Sequence, residues 1–253
     1  MVIFSACLKM EKIGNLRSKT MGLQKFLATL FGDIWYSKKC IGLWHYIYGS
    51  PESQLHGFDY REFSSVVKPG DMILTRSENY KFSNKGIPEN QTFLKHLGIY
   101  VGSVGGFMAG EFLVHVDRKG SQYPKCIVHA ISEGVVCQDM FDIFRHFDYI
   151  AVVRPWKTKF QQTQICETAF ELLGKEYDFE FKSKNKSYYC TELGVHCLKG
   201  VAIKVPKMVK INTHWLGLFL PLERFKRNVT VADSFLKEYP IVYESSSFKR
   251  RQQ

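Results

Sequence analysis

Cys190 in the run Tyr188-Tyr189-Cys190-Thr191-Glu192-Leu193, His96 opening His96-Leu97-Gly98-Ile99-Tyr100-Val101-Gly102 and His129 in Val128-His129-Ala130 supply a thiol and two imidazoles. These are the parts of a cysteine nucleophile site. Only the thiolate attacks well, and an ordinary cysteine is mostly thiol at neutral pH. A helix N-terminus and a nearby imidazole both favour the thiolate, the first through unpaired backbone N–H groups and the partial positive charge gathered there. Cys190 follows the polar loop Lys182 to Ser187 and opens the run Thr-Glu-Leu-Gly-Val-His-Cys-Leu, which places it in a first helical turn. His96 meets the second condition if its strand faces that helix across a sheet. His129, in the next strong strand, is a candidate to hold the far nitrogen of His96 as the third member of a triad does. Glu133, before Gly134, is the other candidate for that role. The backbone N–H groups at the start of the helix are candidate oxyanion donors, with Tyr100, Tyr188 and Tyr189 as further ones.

The elements that must position these residues are legible in outline. Val66-Val67-Lys68-Pro69-Gly70-Asp71 is a turn signal feeding the short apolar strand Met72 to Thr75. Further strands are predicted at His96 to Val101, Phe112 to Val116, Cys126 to Ile131 and Tyr149 to Arg154, separated by Gly, Pro and Asp clusters that suit an antiparallel sheet. The pattern turns helical at Gln162 to Leu173, with Gly174 as a C-terminal stop. A second helix is predicted from Cys190 to Leu198, with Gly200 ending it. Strands followed by helices predict an α+β domain. Before it, residues 1–65 read as a helical extension, with an amphipathic segment at Gly22 to Phe31 that suits packing on the main domain or lying on a membrane surface. After the domain at 66–242, the polar run 243–253 reads as a mobile basic tail.

Composition bounds the partners. The 253 residues hold 35 Lys and Arg against 24 Asp and Glu, a net charge of +11, so an anionic surface is attracted through salt-sensitive fields. Lys204, Lys207, Lys210, Arg224, Lys226 and Arg227, interleaved with Trp215, Phe219 and Phe225, are the candidate contact for it. No nucleic-acid motif accompanies them, so nucleic acid is not an expected partner. Seven cysteines without compact disulfide spacing favour a reducing, cytoplasmic setting. The N-terminus is a poor secretory signal and no apolar run reaches membrane-spanning length, which predicts a soluble protein or one peripheral to a membrane.

Taken together, Gly70-Asp71-Met72-Ile73-Leu74, His96-Leu97-Gly98-Ile99-Tyr100-Val101-Gly102, Val128-His129-Ala130, Leu173-Gly174-Lys175-Glu176-Tyr177-Asp178 and Tyr189-Cys190-Thr191-Glu192-Leu193 resemble, in this order, the circularly permuted branch of the NlpC/P60 cysteine hydrolases. Within that branch the resemblance is to the group of bacterial YiiX-like proteins and their orthopoxvirus relatives, in which the base strand precedes the nucleophile helix. It covers roughly residues 66–198, with a weaker match at 229–242. It implies a permuted papain-like fold, a small antiparallel sheet packed against helices, with Cys190 as nucleophile, His96 as base and His129 as the residue that orients it. The implied activity is a thiol hydrolase or acyltransferase working through an acyl-enzyme on a peptide, amide or acyl-lipid bond. Neither a cofactor nor a metal is expected.

Two rivals stand beside this reading. Cys126 and His129, flanked by His115 and Cys137, have metal-ligand spacing, yet residues an odd number apart on a strand point to opposite faces. No second close pair completes a zinc ribbon. The other rival is a catalytically inactive relative that serves as a basic binding module for an anionic surface of lipid or nucleic acid. A deep apolar groove beside Cys190 favours an acyl-lipid substrate, and an open polar cleft favours a peptide or amide.

Overall fold

The structure, a computed structural model, describes residues 53–78, 92–104, 107–108, 111–112, 125–178, 181, 186–213 and 225–252. The amphipathic segment at 22–31, His115, most of the strand predicted at 112–116 and the stretch 214–224, with Trp215, Phe219 and Arg224 of the basic cluster, lie outside the described residues. Those described belong to one compact unit. Its helices are α1 (Gly57–Val66), α2 (Met140–Phe144), α3 (Lys159–Glu171), α4 (Cys190–Gly200), α5 (Ala232–Glu238) and α6 (Ser246–Gln252). Its strands are β1 (Met72–Arg76), β2 (His96–Ser103), β3 (Phe107–Met108), β4 (Glu111–Phe112), β5 (Lys125–Ile131), β6 (Gly134–Asp139), β7 (Tyr149–Val153), β8 (Val209–Thr213), β9 (Phe225–Val229) and β10 (Ile241–Glu244). The predicted α+β class is the one observed.

Six strands form one antiparallel sheet in the order β10-β7-β1-β2-β5-β6. Both faces are covered, so the central strands are almost continuously apolar and their burial does not alternate. Met72, Leu74, Leu97, Ile99, Val101 and Val128 pack against α3, α4 and α5 through Ile165, Ala169, Leu193 and Phe235. Ile73, Tyr100, Ile127, Ile150 and Val152 face the other way, onto Phe63 of α1 and Met140, Ile143 and Phe144 of α2.

Polar anchors fix the ends of these elements. Asp71, wholly buried, accepts two bonds from Arg154, Nε to Oδ1 at 2.8 Å and Nη2 to Oδ2 at 2.7 Å, and further bonds from Trp156 Nε1 and the Lys68 backbone N–H. That bidentate pair ties the turn before β1 to the end of β7. Thr158 and Gln161 close the first turn of α3 as a reciprocal capping box.

The C-terminal run departs from the mobile tail that its composition predicts. Ile241–Glu244 is an edge strand on β7, and Ser246–Gln252 is a helix. Phe248 is buried, the Ser245 hydroxyl accepts the Ile150 N–H at 3.1 Å, and the Ser247 hydroxyl donates to the Asp148 carbonyl. Serines read as loop formers, but here their hydroxyls satisfy buried backbone groups, and one buried aromatic anchors the turn. Asp59 of α1 reaches the same region, accepting the Ser246 N–H at 2.8 Å. The segment predicted as an N-terminal extension thus contributes, through α1, to the sheet's second covering layer.

Candidate active site

Cys190 is the first residue of α4. The buried face of its helix is mostly apolar, with Leu193, Val195, Cys197 and Leu198 all buried. Gly194 brings the helix down on the sheet: a Cβ there would lie 2.9 Å from Leu97 Cδ2. This close approach carries the helix start to the end of β2. The N-cap residue Tyr189 supplies no side-chain cap; the Glu192 carboxyl, three residues on, accepts from the Tyr189 backbone N–H instead.

The Cys190 thiol donates to the Lys95 carbonyl at 4.0 Å and also meets the Leu97 N–H, so the sulfur lies against the backbone on both sides of His96. Burial pushes the thiol up to about 11; the N–H groups of Leu97, Thr191 and Cys190 only partly offset this. The thiolate stabilisation expected from the helix terminus is present, but desolvation of the charged form exceeds what a few backbone dipoles supply.

The register corrects a second expectation. Leu97, Ile99 and Val101 face α4, so His96, Gly98 and Tyr100 take the opposite side of β2. His96 therefore does not face α4 across the sheet; it opens β2, and the backbone groups on either side of it, the Lys95 carbonyl and the Leu97 N–H, are what meet the Cys190 sulfur. On its own face it meets His129: Gly98 pairs with His129, which makes His96 a diagonal neighbour, and His96 Nε2 lies 2.9 Å from His129 Nδ1. The two rings meet edge to face at 75°. A Cβ at position 98 would lie 2.7 Å from Ile127 Cδ1 and 3.4 Å from His129 Cβ, so any larger residue there would have to displace the Ile127 side chain beside this pair. Phe147 lies parallel to the His96 ring at 6.1 Å.

Protein atoms enclose His96 on most sides while one edge keeps partial solvent access, and desolvation lowers its pKa to about 4. His129 is wholly buried; desolvation first, then the neighbouring His96, hold it well below 6.5. At neutral pH both rings are uncharged. Glu133, the alternative partner for His96, is exposed in the turn between β5 and β6, where it accepts from the Ser132 hydroxyl at 2.7 Å. Tyr100 is buried beside Phe63, Tyr189 packs with Ile211, Val229 and Val231, and Tyr188 meets the His196 ring. The backbone N–H groups of Leu97, Thr191 and Cys190 are the donors that meet the sulfur.

Sequence reasoning missed the groups that hold the approach to His96. The Asp233 carboxylate in the first turn of α5 accepts the Phe93 N–H at 2.6 Å and the Leu94 N–H at 3.0 Å. The Thr191 hydroxyl donates to the Thr230 carbonyl, tying α4 to the same segment. An acidic residue in a first helical turn is the only local signal, and it suggests a dipole partner on its own helix rather than a clamp 140 residues away.

Cys126 and His129 lie in different packing layers, as their odd spacing requires. Among the described residues no three His, Cys, Asp or Glu side chains gather as metal ligands.

A solved structure from Escherichia coli O157:H7, described as the metalloprotein YiiX, superposes with a TM-score of 0.50 at 18% identity, covering 70% of this chain and 97% of that one. No curated protein matches the sequence. The family model for the permuted papain-like amidase enzymes, YaeF/YiiX, C92 family, matches residues 66–238, from the turn before β1 to the last residue of α5 and so across every candidate site residue, and the chain belongs to that family.

Proposed function

We propose that the protein is a cysteine amidase in which Cys190 is the nucleophile, His96 the general base and His129 the residue that orients His96. The observation that carries this reading is the 2.9 Å contact between His96 Nε2 and His129 Nδ1 at a strand end whose flanking backbone groups touch the Cys190 sulfur. With Nε2 occupied by that contact, Nδ1 is the nitrogen left to serve the thiol in this reading.

Because the thiol and both rings rest uncharged, the proton leaves during attack and not before it. Nδ1 of His96 takes the Sγ proton as sulfur bonds to the carbonyl carbon, and the oxyanion develops beside the Cys190 and Thr191 N–H groups. Collapse breaks the C–N bond, with His96 returning its proton to the leaving amine. Water activated by the same nitrogen then cleaves the thioester, releasing the acid and restoring the thiol.

An amide substrate follows the family; acyl-lipid esters share the chemistry of the first step. The test is hydrolysis of matched p-nitroanilides and p-nitrophenyl esters of increasing acyl length, by the intact chain and by Cys190→Ala and His96→Ala. Anilide turnover abolished in both variants is the expected result, and turnover confined to long-chain esters would move the substrate to acyl-lipids. Turnover that persists in Cys190→Ala would overturn the assignment of the nucleophile. No turnover with either series, combined with iodoacetamide labelling of Cys190 that is indifferent to His96, would favour an inactive binding relative.

A further inference from the structure

The His96–His129 contact works for a cysteine nucleophile in one arrangement of protons only. For Nδ1 of His96 to accept the thiol proton, Nε2 must carry the ring hydrogen and donate it to Nδ1 of His129. His129 must then carry its own hydrogen on Nε2. The opposite arrangement, with His129 Nδ1 donating to His96 Nε2, moves the His96 hydrogen to Nδ1 and leaves nothing to receive the thiol proton. Something must therefore hold the hydrogen on the far nitrogen of a ring that is wholly buried.

Gln138 on β6 is placed to do so. The register pairs His129 with Val136 and Ile127 with Gln138, which puts Gln138 diagonally across from His129 on the face that also carries His96. His129 Nε2 and Gln138 Oε1 are both closed to solvent, and each stands without a hydrogen-bond partner of standard geometry. A buried donor and a buried acceptor left facing the same layer are costly apart and satisfied together. The direction of Gln138's influence agrees: as a hydrogen-bond partner it favours the protonated form of His129, as an acceptor aimed at a ring N–H does. We propose that Gln138 is a positioning residue that accepts from His129 Nε2–H and so fixes the tautomer of both imidazoles, completing a relay Cys190–His96–His129–Gln138 across three neighbouring strands and one helix.

The functional consequence rests on the reading of His96 as base; the tautomer does not. Long-range 1H–15N spectra of the histidine rings in the full chain at pH 7 read it directly, with Gln138→Met removing the acceptor at similar volume and Gln138→Glu restoring one. A protonated Nε2 and an unprotonated Nδ1 on His129 are expected in the wild type and in Gln138→Glu, with both nitrogens shifting toward an averaged value in Gln138→Met. Alkylation of Cys190 by iodoacetamide should slow roughly tenfold in Gln138→Met, the scale of one lost buried hydrogen bond, and recover in Gln138→Glu. A wild-type His129 protonated on Nδ1 would overturn the proposal even if every variant failed to fold. So would a Gln138→Met protein with unchanged ring shifts. The expected tautomers together with alkylation unaffected by His96→Ala would uphold the role of Gln138 while overturning His96 as base.

Discussion

At Cys190 two influences act on one sulfur: the start of α4 favours a thiolate, and burial against β2 favours the thiol. Burial is the larger, so the resting site holds a thiol beside a neutral imidazole. This separates the mechanism from one built on a preformed ion pair. With His96 lowered to about 4, the proposed base remains neutral through the mildly acidic range, so kcat/KM on a p-nitroanilide is expected to stay flat from about pH 6 to 8 and to fall by half only near pH 4. An acid limb centred near 6.5 would show instead that the ring is hydrated. Glu192 has the opposite sign. Burial, and then the Asp178 charge, raise its carboxyl to about 7. An unfolded chain ionises that group near its ordinary 4.5 while the folded chain keeps the proton, so its contribution to stability declines as pH rises from 4.5 through 7. Gln at this position keeps an acceptor for the Tyr189 N–H and removes the titration. The Tm of Glu192→Gln relative to wild type should therefore increase between pH 5 and 7.5. A difference that is constant or shrinks with pH would mean that the carboxylate is ionised throughout.

The elements were legible where local pattern and packing agree. β1, β2, β5 and β7 are short apolar runs between turn residues, and α3 has a capping box and an apolar face, so propensity and environment point the same way. β6 escaped because Gly134-Val135-Val136-Cys137-Gln138-Asp139 is half polar; its pairing with β5 is what makes it a strand. The side of β2 on which His96 lies escaped as well, since a strand buried on both faces carries no alternation to show which residues meet which helix. Two substitutions test how these elements build the site. Gly98→Ala forces a methyl into contact with Ile127 and the His129 Cβ, and should destabilise the fold by about 1–3 kcal/mol while moving the His129 ring resonances. Asp233→Ala leaves the Phe93 and Leu94 N–H groups without their acceptor; a loss of about 1–3 kcal/mol is expected in urea unfolding. Activity should fall with it, because those residues lead directly into His96. Unchanged stability in Asp233→Ala would mean that the 92–95 segment is held by something other than α5.

At the scale of the described domain, the segments that follow α4 hold the strand β2 that precedes it. Asp233 of α5 anchors Phe93 and Leu94 from one side, and α6 closes on the same residues from another. Phe93 lies between the guanidinium groups of Arg76 and Arg251, with Cζ to ring-centre distances of 4.4 and 4.3 Å, stacks on Phe248 and meets Tyr149 edge to face. Because His96 lies nearly a hundred residues before Cys190, the proposed pairing of base and nucleophile needs such long-range ties, since no local turn positions one against the other. The C-terminal residues are therefore expected to act on catalysis at a distance. Ending the chain after Glu244 keeps β10 as the edge strand but removes the Ser245 hydroxyl from Ile150, the Ser247 hydroxyl from Asp148, and both Phe248 and Arg251 from Phe93. Loss of one buried aromatic alone is of order 3–5 kcal/mol, a large share of the total for a domain of this size. Phe248→Leu is the milder companion that retains the helix. It should lower Tm by several degrees and reduce kcat on the anilide more than it raises KM, because the change reaches the substrate only through the position of His96. If Phe248→Leu lowered Tm yet left kcat and the His96 ring resonances as in wild type, α6 would stabilise the fold without positioning the base, and the route from the chain's end to its active site would run through Asp233 alone.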